Sequence, residues 1–427
     1  MSRNYSIQSF FRQMPNNLLA RYFSTRSLLA DFDFTTLKKR NFDALMLAWG
    51  KLTDDQRLSV EGDFREIFDM SCENGLRSII DEAKYHLAAP QQDSCADAAT
   101  STLALAAFSA KLLALPGHFE RAMVTFLDHQ NLWSGATQFH HADSLRYWRK
   151  RKDLPKVAPA VDPDSLQRLE AEIRAYFMDT EWRGRYSRSE VLRRGDHEYY
   201  FVYLEDHPRK DPEWLAGELT PRRHIPATEI VFVYNSKEGT LDINARGLSK
   251  AAQSLQDIFT LEILNNGSPV APSADPVYDL NPLRRRDFAF VIPVGSRIEA
   301  VWVRKLTLAS TSVTHNQLTL QSGGRRNPLG IYDLLAEVEA NGPLPNYKVS
   351  HAELVAQVST SKRRPKLVSV RIASPSSCSL QHEDVDRELR AMLQASGIEP
   401  RERQKRPAPR AAPPAESATA ETAPAAS

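Results

Sequence analysis

The sequence has few cysteines and no long apolar run. Its 427 residues include three cysteines, none in a CxxC pair: Cys72, Cys95 and Cys378. This odd, widely spaced set argues against a disulfide framework or a zinc finger and favours a reducing compartment. The most apolar stretch, 103–115, contains Lys111 and is shorter than the roughly 20 residues that a membrane-spanning helix needs. We therefore expect a cytoplasmic protein that does not bind a membrane.

The chain also lacks a large excess of either charge, and it lacks any recognisable catalytic motif. It carries 55 Lys and Arg against 53 Asp and Glu, so no whole-molecule field marks it as a nucleic-acid binder. The segment 322–326 (Ser-Gly-Gly-Arg-Arg) does not have the glycine spacing of a Walker or dinucleotide-binding loop. No histidine or cysteine has the neighbours that a metal centre or an activated nucleophile requires. We expect no cofactor and no metal, and a binding protein rather than an enzyme.

Apolar residues in the first third of the chain recur at helical spacing. The spacing of Thr53 and Gln56 predicts a capping box, and the apolar residues at 60, 64, 67 and 68 share one helical face behind it. Two further helices are predicted at 98–115 and 118–130, on either side of a Pro-Gly pair. The pattern predicts an all-helical domain over residues 1–150.

Short β-branched and aromatic runs follow residue 150 and predict strands. The clearest are 199–204 and 229–234, and a turn joins the second to the alternating segment 240–245 as a hairpin. Further strands are predicted near 287–292, 298–308, 317–321, 348–358 and 366–373. The predicted fold class is α+β, in which one or two mixed domains on antiparallel sheet follow the helical domain.

The chain after residue 150 is divided by composition. Residues 265–278 are rich in Asn, Gly, Ser, Pro and Ala, which places a boundary between an α+β domain at 151–270 and a β-rich α+β domain at 271–400. The tail 401–427 contains Pro, Ala, Ser, Thr and charged residues, with nothing larger than alanine to bury. Such a segment cannot offset its ordering entropy, so we predict a disordered tail.

The densest charge run lies where the helical pattern changes to the strand pattern. Residues 141–156 contain six Lys or Arg and two Asp, with two aromatic residues among them. Cations neutralise phosphates and exposed aromatic rings stack on bases, so this run predicts a nucleic-acid contact. We call its central part, residues 148–152, the basic seam; its candidate contact residues are Trp148, Arg149, Lys150, Arg151 and Lys152. The alternative is a solvated helix end, whose C-terminus the cations stabilise.

A second candidate group is Arg284, Arg285 and Arg286. Basic clusters also occur at 38–40, 193–194, 222–224, 325–326 and 362–364. If the fold gathers these clusters on one face, they form a phosphate-binding surface; if it scatters them, they serve as solubilising charge.

Two other functions compete with nucleic-acid binding. A metal-dependent nuclease needs carboxylates spaced on a hairpin, and the Glu229–Asp242 hairpin offers two, although no lysine follows Asp242 at the expected spacing. A pure protein–protein scaffold is the other alternative, in which the helical domain holds a protein partner. The oligomeric state is left open.

Three blocks, 148–156, 229–234 and 374–380, resemble uncharacterised bacterial proteins of mobile or defence islands. The resemblance implies a component of a multi-gene system and assigns no residue a role. Together with the basic clusters, it leads to our principal hypothesis. We expect a non-catalytic binding or adaptor protein, whose basic surfaces contact nucleic acid and whose helical domain contacts a protein partner.

Overall fold

The computed structural model describes most of the chain: residues 4–37, 42–88, 98–152, 154–215, 217–248, 250–265, 267, 270, 275–313, 316–323, 327–342, 344–359, 365–381 and 384–399. The predicted disordered tail, 401–427, lies outside these residues. The basic clusters at 38–40, 325–326 and 362–364 lie outside them as well. Among the described residues, no helix combines the length and the apolar character that a membrane span requires.

Eight helices precede the first strand in the described part of the chain. They are α1 (Ile7–Gln13), α2 (Asn16–Thr25), α3 (Asp43–Gly50), α4 (Asp54–Met70), α5 (Glu73–Ala88), α6 (Ala98–Leu113), α7 (His118–Asp128) and α8 (Gln130–Ser144). The predicted capping box is confirmed: the Thr53 hydroxyl accepts from the Gln56 N–H, and the Gln56 side chain accepts from the Thr53 N–H. It satisfies donors at the start of α4 that the helix itself leaves unpaired.

An aromatic cluster holds the helices together. Phe64 of α4 stacks on Phe10 of α1 at 4.4 Å between ring centroids and lies 4.6 Å from the ring of Tyr22 in α2. All three side chains are fully buried. Buried aromatic pairs at such distances add to the stabilisation that apolar burial itself provides. The helical spacing read from the sequence therefore corresponds to one continuous core.

Ten strands after the helical domain form one antiparallel sheet, in the order β2-β3-β6-β7-β1-β12-β11-β10-β8-β9. Their bounds are β1 (Trp148–Arg151), β2 (Ser187–Arg194), β3 (His197–Glu205), β6 (Ala227–Asn235), β7 (Thr240–Ala245), β8 (Ile298–Ser310), β9 (Gln317–Gln321), β10 (Tyr347–Val358), β11 (Lys366–Ala373) and β12 (Ser377–Cys378); β4 (Arg209–Leu215) and β5 (Glu218–His224) pair separately. The predicted α+β class is confirmed.

The large sheet consists of two halves that meet at β1 and β12. The first half-sheet contains β2, β3, β6, β7 and β1, and the second contains β12, β11, β10, β8 and β9. Between the two halves, Trp148 pairs with Cys378 and Arg149 with Ser377, and the Lys150 N–H donates to the Ser376 carbonyl oxygen at 3.0 Å. Strand β1 thus crosses the predicted boundary at residue 150, because its hydrogen-bond partners come from both later segments of the chain.

Each half-sheet packs its own helices on one face. Helices α9 (Pro163–Glu181) and α10 (Ala252–Glu262) cover the first half, and α11 (Gly330–Asn341) and α12 (Asp384–Ala395) belong to the core of the second. The opposite face of the first half-sheet packs against α8, where Phe139 contacts Tyr199 and a small apolar cluster around it. The helical domain is therefore attached to the sheet by a buried apolar interface.

Strands β4 and β5 form an arm that stands apart from the large sheet. Trp214 and Leu219 are opposite each other near its tip, and the Trp214 side chain is 73% exposed. Leu215, also at the tip, is exposed as well. The arm thus presents apolar side chains to solvent, where an isolated two-stranded hairpin has little stability of its own.

One predicted strand is absent from the structure. Phe288, Phe290 and Ile292 alternate as strand residues do, yet residues 287–292 have no strand partner and run as irregular chain. All three side chains nevertheless pack on the core of the second half-sheet. Every second side chain of this segment packs against that core. An extended chain can bury alternate side chains in this way without hydrogen bonds to a neighbouring strand.

Candidate functional site

The basic seam folds as strand β1, and its residues alternate between the two faces of the sheet. Trp148 packs with Phe139 on the face that the helical domain covers. Arg151 lies on the opposite face, where its Nη1 donates to Oδ1 of Asp257 in α10 at 2.6 Å. Successive strand residues point to opposite faces, so Trp148 does not share a surface with Arg149 and Arg151.

Trp148 is a core residue. Its side chain is 1% exposed, and its Nε1–H donates to the Leu145 carbonyl oxygen at 3.1 Å. Neither face of the indole is open to a base. The prediction that Trp148 stacks on nucleic acid is therefore corrected: Trp148 joins the helical domain to the sheet.

Lys150 is buried beside two carboxylates. Its Nζ donates to Glu399 Oε1 at 2.8 Å and lies 3.7 Å from Asp242 Oδ2. Burial lowers the pKa of Lys150, but the two carboxylates outweigh burial and raise it above the ordinary value. Lys150 also lowers the pKa of Glu399 against the effect of burial. The charge of Lys150 is thus balanced within the protein, which removes it from the predicted phosphate contacts.

Arg149 and Lys152 instead line a pocket of about 290 Å³ on the α10 face of β1, which we call the seam pocket. Five Lys or Arg and one carboxylate line it: Arg149, Lys150, Arg151, Lys152, Lys250 and Asp275. Its wall includes Ala252 and Gln253, the first two residues of α10. The N-terminus of a helix carries a partial positive charge and favours anions, so it adds to the positive charge of the lysines and arginines that line the pocket.

Arg151 is the most constrained cation of the seam pocket. Besides its bond to Asp257, its Nη2 donates to the Val270 carbonyl oxygen. Its side chain is buried, and its Nε has no hydrogen-bond partner among the described residues. Arg151 is therefore held in place with one donor unused. The prediction that it contacts nucleic acid from the surface is corrected, because its side chain is buried and bound to Asp257.

The second predicted cluster does not reach the seam pocket. Arg284 is tied to Glu339 and donates from Nη1 to the carbonyl oxygens of Leu344 and Tyr347 at 3.0 and 3.2 Å. These bonds fix a loop against β10 and use most of the donors of the guanidinium group. Arg284 therefore has a structural role in the described part of the chain.

Arg285 and Arg286 are exposed but paired. Arg285 lies 2.7 Å from Asp287, and Arg286 lies 2.7 Å from Asp333. Each arginine lowers the pKa of its carboxylate partner by hydrogen bonding to the ionised form. Their local charge is thus largely cancelled, which leaves less positive potential for a phosphate than the sequence cluster predicts.

A larger cleft lies on the other face of β1, between α5, the first half-sheet and α12. Its volume is about 840 Å³. Six cations line it: Lys84, Lys150, Arg193, Arg194, Arg387 and Arg390. Four carboxylates line it as well: Asp81, Asp196, Glu238 and Asp242. We call it the interdomain cleft, because all three parts of the fold contribute to its wall.

Arg194 is the best-anchored cation of the interdomain cleft. Its Nη1 donates to both carboxylate oxygens of Asp143 at 2.8 Å, and its Nε donates to Asp81 Oδ2 at 2.7 Å. Burial lowers the pKa of Arg194, but the carboxylates outweigh burial and raise it. The Nη2 group has no hydrogen-bond partner among the described residues. The guanidinium is therefore fixed in place with donors to spare.

His197 is held neutral at the same cleft. Asn235 Oδ1 accepts from the backbone N–H groups of Lys237 and Glu238, so its Nδ2 is directed at His197 Nε2, 3.2 Å away. Because an amide nitrogen can only donate, Nε2 of His197 is the acceptor and its Nδ1 carries the proton. Burial is the main cause that lowers the pKa of His197, and Lys150 adds to it.

A comparison of the chain with protein-family models finds no match, and neither does a comparison with curated protein sequences. The two cavities beside β1 are the strongest candidates for a functional site in the described part of the chain. The sequence marks Arg193 and Arg194 as one of several basic clusters. It does not indicate that Asp81, Asp143 and Arg390 come together with them, because no local pattern connects these residues.

The hairpin proposed for a nuclease does not assemble a metal site in the described structure. Asp242 is opposite Val233, and Glu229 lies four residues before Val233 in β6, so the two residues are about 13 Å apart along the strand. Glu229 binds His141 and Asp242 lies beside Lys150. Within the described ranges, no group of three or more His, Cys, Asp or Glu residues is placed to hold a metal ion.

The pair of His141 and Glu229 gives a pH-dependent contribution to stability. His141 Nε2 lies 2.7 Å from Glu229 Oε2, and this hydrogen bond raises the pKa of His141. A histidine whose pKa is higher in the folded than in the unfolded state stabilises the fold when it is protonated. This stabilisation is complete below the pKa of the unfolded state, about 6.5, and is lost as the pH rises through the pKa of the folded state. We expect His141→Gln to lower the melting temperature more at about pH 6 than at about pH 8.5.

The effect is small, about 0.2–1 kcal/mol, because the pair is partly exposed. Thermal melts of both proteins across this pH range measure it. His351→Gln is a suitable control, since His351 is exposed and its one hydrogen bond is to the neighbouring Ser350. If the melting-temperature difference between the original protein and His141→Gln grew with rising pH, the stabilising role of protonated His141 would be wrong.

Proposed function

We propose that the protein is a non-catalytic binding protein whose seam pocket holds a phosphate group of a nucleic acid. The observation that supports this most strongly is that Arg149, Lys152 and Lys250 line the pocket together with the start of α10. Lys150 and Arg151 also line it, but their charges are balanced by Glu399, Asp242 and Asp257. Phosphate contacts made by Lys, Arg and helix N-termini position a protein on nucleic acid without reading its sequence. We therefore expect binding that depends on backbone phosphates.

Two of the proposed contact residues, Arg149 and Lys152, belong to the sequence prediction, and Lys250 is added by the lining of the pocket. Arg149, Lys152 and Lys250 line the pocket and are at least partly exposed. Arg151 shapes the pocket wall from a buried position. Trp148 does not take part, because it is enclosed on the other face of the strand.

The proposal includes a protein partner, as expected of an adaptor. The exposed apolar tip of the β4–β5 arm supports this part, since the paired Trp214 and Leu219 are both exposed and the adjacent Leu215 is exposed as well. Tryptophan and leucine side chains of this size are buried in most proteins, and an exposed group of them is typical of a contact surface.

Fluorescence anisotropy with labelled single-stranded DNA, duplex DNA and RNA tests the nucleic-acid part. The logarithm of the association constant is expected to fall linearly with the logarithm of salt concentration between about 50 and 200 mM. Lys152→Gln and Lys250→Gln are each expected to weaken binding to every sequence and to reduce the salt slope by about 1. Arg188→Gln is the matched control, since Arg188 is an exposed residue of β2 that lines neither cavity.

The double variant Arg285→Gln with Arg286→Gln measures how much the second cluster contributes to oligonucleotide binding, for comparison with the seam-pocket variants. We expect a smaller loss from it, because each arginine already neutralises a carboxylate. A flat salt response of the unmodified protein would remove the proposal. Tighter binding of inorganic polyphosphate than of any oligonucleotide would overturn nucleic acid as the ligand.

A further inference from the structure

The interdomain cleft has the size and the polar groups of a small-molecule site. A volume of about 840 Å³ falls within the usual range of ligand pockets, about 300–1,000 Å³. It is too small for a nucleic-acid duplex. We propose that this cleft binds a nucleoside phosphate, with residues other than Arg149, Lys152 and Lys250 of the seam pocket.

Arginines of the cleft provide a phosphate-binding end. Arg194 keeps Nη2 unused while its other nitrogens hold Asp81 and Asp143. Arg390 also has an unpartnered Nη2, and its Nη1 is 3.9 Å from Glu399, beyond hydrogen-bond distance. Arginine presents its donors in a planar fork that matches phosphate oxygens. Two buried guanidinium groups with unused donors therefore favour an anion with several oxygens.

The same cleft also has acceptors for hydroxyl groups, which inorganic phosphate would leave unpaired. Asp242 is buried, and its Oδ1 has no hydrogen-bond partner among the described residues. A buried unpaired acceptor costs about 1–3 kcal/mol, which a sugar hydroxyl donating to Oδ1 would remove. Burial lowers the pKa of His197 more than the neighbouring Asp242 raises it. The neutral imidazole therefore adds no positive charge beside Asp242.

An aromatic ring completes the site. Tyr85 of α5 lines the cleft, and its side chain is 42% exposed. A half-exposed ring at a cleft wall can stack on a base, and such stacking contributes about 1–3 kcal/mol per base. Phosphate-binding arginines, a hydroxyl acceptor and a stacking ring in one cleft together match a nucleoside phosphate rather than a free anion or a sugar alone.

Isothermal titration calorimetry of the full chain tests this proposal with AMP, ADP, ATP, adenosine and inorganic phosphate as probes. We expect saturable binding of at least one nucleotide, with adenosine and inorganic phosphate at least about tenfold weaker. Arg193→Gln and Tyr85→Ala, both at the exposed rim of the cleft, are each expected to weaken nucleotide binding about tenfold.

Matched controls are available on neighbouring positions. Arg188→Gln lies on the same strand as Arg193, and Tyr186→Ala removes an exposed tyrosine that does not line the cleft. Both are expected to leave nucleotide affinity unchanged, as is Lys152→Gln of the seam pocket. The absence of saturable nucleotide binding would overturn the proposal, and so would equal affinity for inorganic phosphate. Loss of oligonucleotide binding alone would concern only the seam pocket.

Discussion

Trp148→Ala is expected to lower the free energy of unfolding by about 3–5 kcal/mol, the loss typical of a large aromatic side chain removed from a core. Trp148 is 1% exposed and packs between α8 and the first half-sheet. Its removal leaves a cavity at the interface that attaches the helical domain, where the surrounding strands are fixed by their own pairing. Equilibrium denaturation followed by circular dichroism measures the change.

Two further variants make this test specific. Trp214→Ala, at the exposed tip of the arm, is expected to change stability by no more than about 0.5 kcal/mol. Trp148→Phe keeps an aromatic ring in the core and is expected to cost less than Trp148→Ala, with oligonucleotide affinity unchanged. A stable Trp148→Ala protein with weakened nucleic-acid binding would restore the stacking role that the sequence suggested.

The second large effect is expected at Arg194. Arg194→Met would leave Asp143 buried without its cation, and breaking a buried ion pair from one side costs about 3–5 kcal/mol. Asp143 lies in α8 and Arg194 in β2, so the loss falls on the attachment of the helical domain. Denaturant unfolding of the variant measures it.

A double variant separates the ion pair from the cavity that the substitution creates. Arg194→Met with Asp143→Asn removes both charges and is expected to regain part of the lost stability. Arg188→Met, on the exposed part of the same strand, should stay within about 0.5 kcal/mol of the original protein. If Arg194→Met costs no more than Arg188→Met, the buried network contributes nothing to the attachment.

The class and the most regular elements of this fold can be predicted from sequence because their signals are local. The capping box of Thr53 and Gln56 lies within a single helical turn. Strands β3 and β6 carry long runs of buried apolar residues, and β7 alternates apolar with polar residues behind a short turn. In these segments, propensity, periodicity and tertiary burial all favour the same conformation.

The basic seam could not be interpreted in this way, because its environment is built by distant parts of the chain. Lys150 pairs with Glu399, which is 249 residues away in sequence. Arg151 pairs with Asp257, 106 residues away. A run of cations normally indicates a solvated surface, and only the folded chain shows that carboxylates from two other segments cover it. The pockets on either side of β1 follow from the same long-range assembly.

The two-position joint between β1 and β12 has a mechanical consequence. The strand pairing around this joint is short on both sides, with two paired positions between β1 and β12 and two between β12 and β11, whereas β10 and β11 are paired from His351 to Val358. So short a ladder resists pivoting weakly, and its amide protons should exchange with solvent earlier than those of the adjoining long strands. The contact of Lys150 with Glu399 braces this hinge. Since the pKa of Glu399 is lowered in the fold, acid that protonates it would loosen the brace.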